Sequence, residues 1–169
     1  AFPQARILRA DKDTTSKKEG FKKIYNSFKK READILIGTQ MIAKGLHLPA
    51  VSLVGVILAD IGLNIPDFRT QERNFQLLTQ VAGRAGRTND KGKVIIQTYN
   101  PDNSSLTHTK NHNYKDFFTY ERTQRSLLKY PPFSQLTKII LEKKTYKEAQ
   151  DTAEKIESRI WHIARELRV

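Results

Sequence analysis

The sequence predicts an α/β fold with a parallel sheet, followed by a smaller, partial α+β unit. In the first 100 residues, short runs rich in Val, Ile and Leu alternate with amphipathic segments, and strands that alternate with helices form parallel sheets. The apolar runs are almost uninterrupted, which is typical of strands that are covered on both faces of a sheet. After Pro101 these runs give way to a polar, helical pattern.

Four strands are predicted in the first 100 residues. They are ARILRAD (5–11), ADILIGT (33–39), VSLVGVILAD (51–60) and GKVIIQT (92–98). Residues 16–32 form an amphipathic helix after the first strand, because Phe21, Ile24 and Phe28 recur on one face. Residues 40–49 form a short helical turn and a loop.

A further helix is predicted between the third and fourth strands, with Phe75, Leu78 and Val81 on one side. Charged side chains occur in the loop before this helix and in its first turn, and we expect them to form salt bridges that fix the loop rather than to take part in catalysis. They are Asp60, Asp67, Arg69, Glu72 and Arg73.

The remainder of the chain is predicted to be mostly helical. Residues 104–129 form a polar helix with aromatic interruptions, which ends at KYPPF because consecutive prolines cannot continue a helix. A strand is predicted over 135–144, and Thr145 with Glu148 forms a capping box that begins a long helix. One strand and one helix cannot close a core alone, so we expect this unit to be truncated at Val169.

The composition favours a polyanionic partner. The chain has 30 Lys and Arg against 18 Asp and Glu, a net charge of +12, which suits nucleic acid or an acidic membrane surface. The alternative is a soluble protein with a well-solvated basic face. There is no cysteine, which excludes disulfides and thiolate zinc sites. No apolar run reaches the ~20 residues that span a bilayer, and we expect a soluble, cytoplasmic protein.

The segment QVAGRAGR, residues 80–87, carries two arginines among Gly and Ala. The guanidinium groups of Arg84 and Arg87 suit phosphate, because the planar fork donates paired hydrogen bonds to anionic oxygens. An arginine that points at a terminal phosphate stabilises the charge that develops during phosphoryl transfer. The alternative is a Gly-rich helix end with incidental arginines.

Two segments resemble helicase motifs. ILIGTQMIAKGLHLPAVSLV (35–54) resembles motif V of superfamily 2 helicases, and QLLTQVAGRAGR (76–87) resembles motif VI. Together with LADIGLNIPDFRTQER (58–73) and KYPPF (129–133), at this spacing, they resemble the PriA family of bacterial replication-restart helicases. The similarity extends over essentially the whole chain.

The resemblance implies the second RecA-like lobe of a helicase over 1–100, a helical connector over 101–132 and the start of a C-terminal domain over 133–169. It implies part of an ATP-dependent 3′-to-5′ DNA helicase that acts in replication restart and primosome assembly at stalled forks. The alternatives are a non-enzymatic nucleic-acid-binding module and another superfamily 2 DNA translocase.

The resemblance also implies the nucleotide-facing residues. Arg84 and Arg87 are the catalytic candidates that reach across a cleft to the phosphates of ATP, and Arg87 is the better candidate for the arginine finger. Gln80 and Gly45 are further candidates for contact with the nucleotide. ATP and Mg²⁺ are held together with another lobe, since this sequence has neither a P-loop nor an Asp-Glu-x-His segment. We therefore expect the isolated chain to be inactive.

The partners implied by the resemblance are single-stranded and forked DNA, other primosome proteins and single-strand-binding protein. Thr39, Gln40 and Lys44 are the candidates for contacts to the DNA strand. The parent family carries zinc on paired cysteines, and because this chain has no cysteine we expect no zinc or other metal site in it. We expect a monomer that does not associate with membranes.

Overall fold

A computed structural model of the chain describes residues 2–11, 18–43, 51–85 and 92–167. The chain divides into two compact units, Ala1–Lys129 and Tyr130–Val169. The elements of the first unit are β1 (Ile7–Ala10), α1 (Lys18–Lys29), β2 (Ile35–Gly38), α2 (Gln40–Ala43), β3 (Leu53–Val56), α3 (Thr70–Ala82), β4 (Lys93–Ile96), α4 (Ser104–Lys110) and α5 (Tyr114–Leu127). A 3₁₀ turn, Ala59–Gly62, follows β3.

The described strands form two parallel pairs. β1 pairs with β2, with Ile7 opposite Ile35, and β3 pairs with β4, with Val56 opposite Ile96. The prediction of a parallel α/β fold is confirmed, although the described strands form two ladders rather than one continuous sheet. Each ladder is shorter than the apolar run that predicted it. In the third run, Leu58 has a φ of 54°, and a left-handed residue ends an extended strand.

Helix α3 carries the core of the first unit. Leu78 is only 1 % exposed and forms a buried cluster with Ala59 and Leu106, against which Val56 and Ile96 pack. The cluster therefore joins the β3–β4 ladder to α3 and α4. The predicted apolar face of α3 is the face that is buried.

Aromatic packing joins α3 to α5. The ring of Phe75 stacks on the ring of Phe117 with 4.1 Å between centroids and 10° between planes. Both rings are buried. His108 contacts the edge of the Phe117 ring, at 5.8 Å between centroids, so α4 shares the same cluster.

A buried polar network ties α3 to α4. Asn103 precedes α4, and its side-chain oxygen accepts hydrogen bonds from the backbone N–H and the hydroxyl of Ser105. The Ser105 hydroxyl in turn accepts from Asn74 Nδ2 at 2.9 Å. Buried polar groups are costly unless they are hydrogen-bonded, so this arrangement fixes the register between the two helices.

The predicted helix over 104–129 is divided into α4 and α5. His112 has a φ of 50°, and the side chain of Asn113 accepts a hydrogen bond from the backbone N–H of Asp116 at 3.1 Å. A left-handed residue ends a helix and an asparagine cap begins the next one. The prediction of one continuous helix is therefore wrong at Asn111–Asn113.

The second unit contains α6, Tyr146–Glu166. The predicted cap is confirmed in its first half, because Thr145 Oγ1 accepts a hydrogen bond from the backbone N–H of Glu148 at 3.2 Å. The strand predicted over 135–144 is not formed, because a strand requires a ladder partner and the described part of this unit provides none. No residue of α6 is buried, and Tyr146 is 83 % exposed.

Among the described residues, no helix combines the length and the apolar character that crossing a bilayer requires.

Gly38 should be required for the β1–β2 pair. A Cβ atom at this position would lie 2.5 Å from the backbone oxygen of Ala10 and 2.9 Å from Ile42 Cγ2. Because a backbone atom cannot move aside cheaply, Gly38→Ala should lower the free energy of unfolding by about 1–3 kcal/mol. Denaturant unfolding of the full chain measures the change.

Gly55 provides the matched control, since it also lies in a strand but a Cβ atom there would meet nothing within 4 Å. Gly55→Ala should leave the stability unchanged or raise it by up to about 1 kcal/mol, because glycine weakens a strand interior. Equal effects of the two substitutions would show that the close approach at Gly38 is unimportant.

Candidate nucleotide and nucleic-acid site

The end of α3 brings two of the predicted nucleotide-facing residues onto one turn. Gln80 is exposed on the last turn of the helix, and Arg84 follows the helix and is partly buried. The backbone N–H of Arg84 donates to the carbonyl of Val81 at 3.0 Å, which keeps the chain turning beyond Ala82. Gln80, which carries a side-chain amide, and Arg84, which carries a guanidinium group, therefore lie at the same end of α3.

Gly83 follows α3 but does not have the left-handed backbone conformation that is typical of glycine at a helix end. Its φ is −69°, outside the left-handed region that favours glycine at such positions. A Cβ atom on Gly83 would approach its nearest neighbour, the backbone oxygen of Thr79, to 3.6 Å, an ordinary contact. The fold of this segment thus tolerates a side chain at Gly83, whose own backbone N–H donates to the carbonyl of Thr79 at 3.0 Å.

The predicted strand-end residues lie at the carboxyl end of β2. Thr39 and Gln40 directly follow Gly38, and both are exposed. Ligands of open α/β folds bind outside the carboxyl ends of the strands, so this position suits a binding role. Arg87, Gly45 and Lys44 lie outside the described residues.

The loop before α3 is held by ion pairs, as the sequence predicted. Asp67 accepts from Arg69 at 3.0 Å (Oδ2 to Nη2) and from Arg73 at 3.1 Å (Oδ2 to Nη1). The backbone N–H of Arg69 also donates to Asp67. These hydrogen bonds, chiefly from the Arg69 side chain, hold the pKa of Asp67 far below its ordinary value.

Asp60 fixes a second loop, the one after β4. Its carboxylate accepts from Thr98 Oγ1 at 2.8 Å and from the backbone N–H of Tyr99 at 3.0 Å. The Tyr99 hydrogen bond is the main reason why the pKa of Asp60 is lowered. Asp60 therefore holds this loop through a hydroxyl and a backbone N–H, whereas a salt bridge was predicted.

Glu72 has a partner that the sequence did not reveal. Its carboxylate lies 2.7 Å from Arg125 (Oε2 to Nη2), which is 53 residues later on α5. Arg125 also contacts Glu121 at 3.3 Å (Nε to Oε2). The only local signal is the Glu121–Arg125 spacing of four residues, which predicts a pair on one helix but not the link to α3.

Among the described residues, no group of three or more acidic or histidine side chains is arranged to hold a metal ion. The donors at the end of α3 are an amide and a guanidinium group, which match anionic oxygens rather than cations.

Comparison with known families defines the class of the protein. Residues 4–89, from β1 through the arginine segment, match the family described as helicase conserved C-terminal domain. The chain belongs to this family, and the predicted RecA-like α/β lobe is confirmed by the match.

The chain is also similar to proteins named replication restart protein PriA. It is 51% identical to the one from Bacillus subtilis over 92% of this chain and 19% of that protein. The identity is 49% to the one from Synechocystis over 80% of this chain and 16% of that protein, and 43% to the one from Treponema pallidum over 90% and 23%. The chain thus spans about a fifth of the length of these curated relatives. The resemblance stated from the motifs is confirmed.

Acid should destabilise the first unit, because three carboxylates bind protons less readily when folded. Hydrogen bonds from Arg6 lower the pKa of Asp34 from 3.8 to about 2, and the pKa values of Asp60 and Asp67 are lowered as well. A lowered pKa contributes stability that is complete above the unfolded value and is lost as the pH falls through the folded value. Stability should therefore decline from about pH 5 downward.

Urea unfolding of the full chain between about pH 6 and pH 2 at constant ionic strength measures this decline. Asp67→Asn should make the decline shallower, because this side chain no longer changes charge. Asp102→Asn, at an exposed position before α4, is the matched control and should leave the slope as in the wild type. A slope that Asp67→Asn does not alter would contradict the role of the ion pairs.

Proposed function

We propose that this chain is the second motor lobe and the adjoining C-terminal part of an ATP-dependent 3′-to-5′ DNA helicase that acts in replication restart. The observation that supports the proposal most strongly is the 51% identity to a replication restart protein over 92% of this chain. That span includes most of α3 and of the ladders. In this proposal, residues 1–100 are the motor lobe, 101–132 a connector and 133–169 the start of a C-terminal domain.

The end of α3 faces the nucleotide in this proposal. ATP supplies the terminal phosphoryl group whose transfer to water drives the motor. Arg87 donates to the oxygens of that group as charge develops, Arg84 and Gln80 hold the neighbouring oxygens, and Gly45 is a further proposed contact. The geometry that supports this is the placement of Gln80 and Arg84 at one helix end. Magnesium ligands are oxygen donors, and they come from outside this chain.

The carboxyl end of β2 contacts DNA in this proposal. Thr39 and Gln40 hydrogen-bond to the strand, and Lys44 pairs with a phosphate. The exposure of Thr39 and Gln40 and the net charge of +12 support this assignment, because phosphate contacts supply most of the affinity for nucleic acid.

Forked DNA, primosome proteins and single-strand-binding protein are the proposed partners. The protein works in the cytoplasm as a monomer, without zinc in this part.

Arginine substitution tests the nucleotide assignment. In the full-length helicase that contains this chain, Arg87→Ala should lower the rate of DNA-stimulated ATP hydrolysis by about 10³-fold, the contribution of an arginine finger. Arg84→Ala should lower it less. A steady-state ATPase assay with and without forked DNA measures both rates.

Arg122→Ala is the matched control, since Arg122 is an exposed arginine on α5, and it should hydrolyse ATP as the wild type does. An unchanged rate in Arg87→Ala would show that the two arginines of the segment are structural. The isolated chain should not hydrolyse ATP, because it has no P-loop.

Strand-end substitution tests the DNA assignment. Thr39→Ala and Gln40→Ala should each weaken the affinity for a single-stranded oligonucleotide by roughly threefold to tenfold, the loss of about one hydrogen bond. Fluorescence anisotropy at two salt concentrations measures the affinity and its salt dependence. Thr123→Ala, exposed on α5, should bind as the wild type does, and equal affinities of all three variants would contradict the assignment.

A non-enzymatic nucleic-acid-binding module is the second candidate, and the net charge of +12 favours it. Such a module binds DNA with a steep salt dependence, and its DNA affinity does not depend on the arginine finger that Arg87→Ala removes. Absence of ATP hydrolysis by the full-length protein would select this candidate.

A further inference from the structure

Arg125 joins three elements of the first unit. Its guanidinium group contacts Glu72 on α3 at 2.7 Å and Glu121 on α5 at 3.3 Å. It also lies over the ring of Phe68, in the loop before α3, at 5.1 Å from the ring centroid. The Arg125 side chain is only 15% exposed, and Glu121 is 12% exposed. We call these four residues, Phe68, Glu72, Glu121 and Arg125, the Arg125 clamp.

Glu72 and Phe68 of the clamp each have a second partner besides Arg125. Glu72 accepts from Arg125 through one carboxylate oxygen and from Gln76 Nε2 through the other, at 3.0 Å. Phe68 has a second cation on its ring, Arg69 at 5.2 Å. A guanidinium fork that meets carboxylates in a partly dehydrated site fixes orientation more strictly than a point charge does. The clamp therefore orients the first turn of α3 relative to α5.

Burial makes the clamp sensitive to the loss of its cation. Burial raises the pKa of Glu121, and the charge of Arg125 only partly opposes this. Without Arg125, the carboxylate of Glu121, which is only 12% exposed, would lose its cation, and an unpaired buried charge is far more costly than a surface one. Glu72 is 40% exposed, so its carboxylate can be hydrated, but its link to α5 through Arg125 would be lost.

A small movement at the clamp becomes a large one at the other end of α3. Glu72 precedes Ala82, the last residue of α3, by 10 residues, which is about 15 Å along a helix that rises 1.5 Å per residue. A tilt of about 4° at the clamp would displace the end of the helix by about 1 Å over this length. Displacements of this size in catalytic groups reduce rates by as much as 10²-fold.

We propose that Arg125 is a positioning residue for ATP hydrolysis, acting through Glu72 to hold α3 so that the arginines after it reach the nucleotide. The inference rests on the proposed function and adds to it a residue outside the arginine segment. The link to Glu72 carries the effect, because Glu72 is the clamp residue on α3 itself, whereas Glu121 lies on the same helix as Arg125.

The test compares three substitutions in the full-length helicase. Arg125→Gln should lower kcat for DNA-stimulated ATP hydrolysis by roughly 10- to 100-fold, with little change in KM for ATP. Glu72→Gln should lower kcat in the same way, because it removes the ion pair between Glu72 and Arg125 and leaves Arg125 paired with Glu121. Glu121→Gln keeps the Glu72 link and should have a much smaller effect.

Two further comparisons separate positioning from stability. Arg122→Gln, an exposed neighbour on α5, should retain the wild-type kcat and KM. The double variant Glu72→Gln with Arg125→Gln should lose no more than the single variants, because both remove one shared interaction. If Arg125→Gln fails to fold, Glu72→Gln alone still tests the link. Thermal unfolding of every variant shows which of them are folded at the assay temperature.

The outcomes distinguish this inference from the function on which it rests. Folded Glu72→Gln and Arg125→Gln enzymes with the wild-type kcat would show that the clamp is only structural and would overturn the inference. If the clamp variants retain the wild-type kcat but Arg87→Ala abolishes hydrolysis in the same assay, the inference is overturned and the proposed function stands. Absence of hydrolysis in the wild type would overturn both.

Discussion

The burial of Leu78 is the contact on which the first unit depends. This side chain lies where α3, α4 and the β3–β4 ladder meet, and its neighbours in the cluster are as small as Ala59. Among the described residues the cluster has three buried members, and each buried aliphatic side chain contributes about 1.5–3 kcal/mol. The stacked rings of Phe75 and Phe117 extend the same face of α3 toward α5. One helix thus organises both the packing and the arginine segment that follows it.

Polar contacts determine the orientation of α3, whereas apolar contacts supply most of the stability. Exposed ion pairs such as Arg73 with Asp67 contribute little individually. Their value here is geometric, since the carboxylate of Asp67 meets two guanidinium groups and a backbone N–H, all from the next six residues of the chain. The Asn74–Ser105 hydrogen bond serves the same purpose in the interior. Apolar contact holds α3 in place, and directional contacts determine where its ends point.

The sequence predicted the kinds of element well because apolar periodicity is a local property. All four strands and the α3 helix lie within the predicted segments. The errors occur where one residue overrides a pattern. Leu58 and His112 adopt left-handed conformations, and neither is a glycine that would have signalled a turn. The run over 135–144 is apolar enough for a strand, but strand formation depends on a partner that periodicity cannot supply.

The candidate site shows the same difference between local patterns and long-range contacts. Gln80 and Arg84 were identified from a motif in which all of the information is adjacent in sequence, and their placement at one helix end follows from that adjacency. Arg125 was missed because its importance arises from a contact across 53 residues. Single-sequence reading identifies the groups that resemble a known chemistry, whereas the groups that support them become visible only in three dimensions.

Strands that follow one another in the chain form each ladder, β1 with β2 and β3 with β4, and this pairing also has a consequence for how the protein is made. Parallel strands that are joined by a single crossover close short loops, and short loops cost less entropy than long ones. Ile7 meets Ile35, and Leu53 meets Lys93. Both strands of the first ladder are therefore present once β2 has been translated, although two strands alone are at best marginally stable. The α3 core and its clamp are completed later, because Leu106 on α4 and Arg125 on α5 are translated after α3.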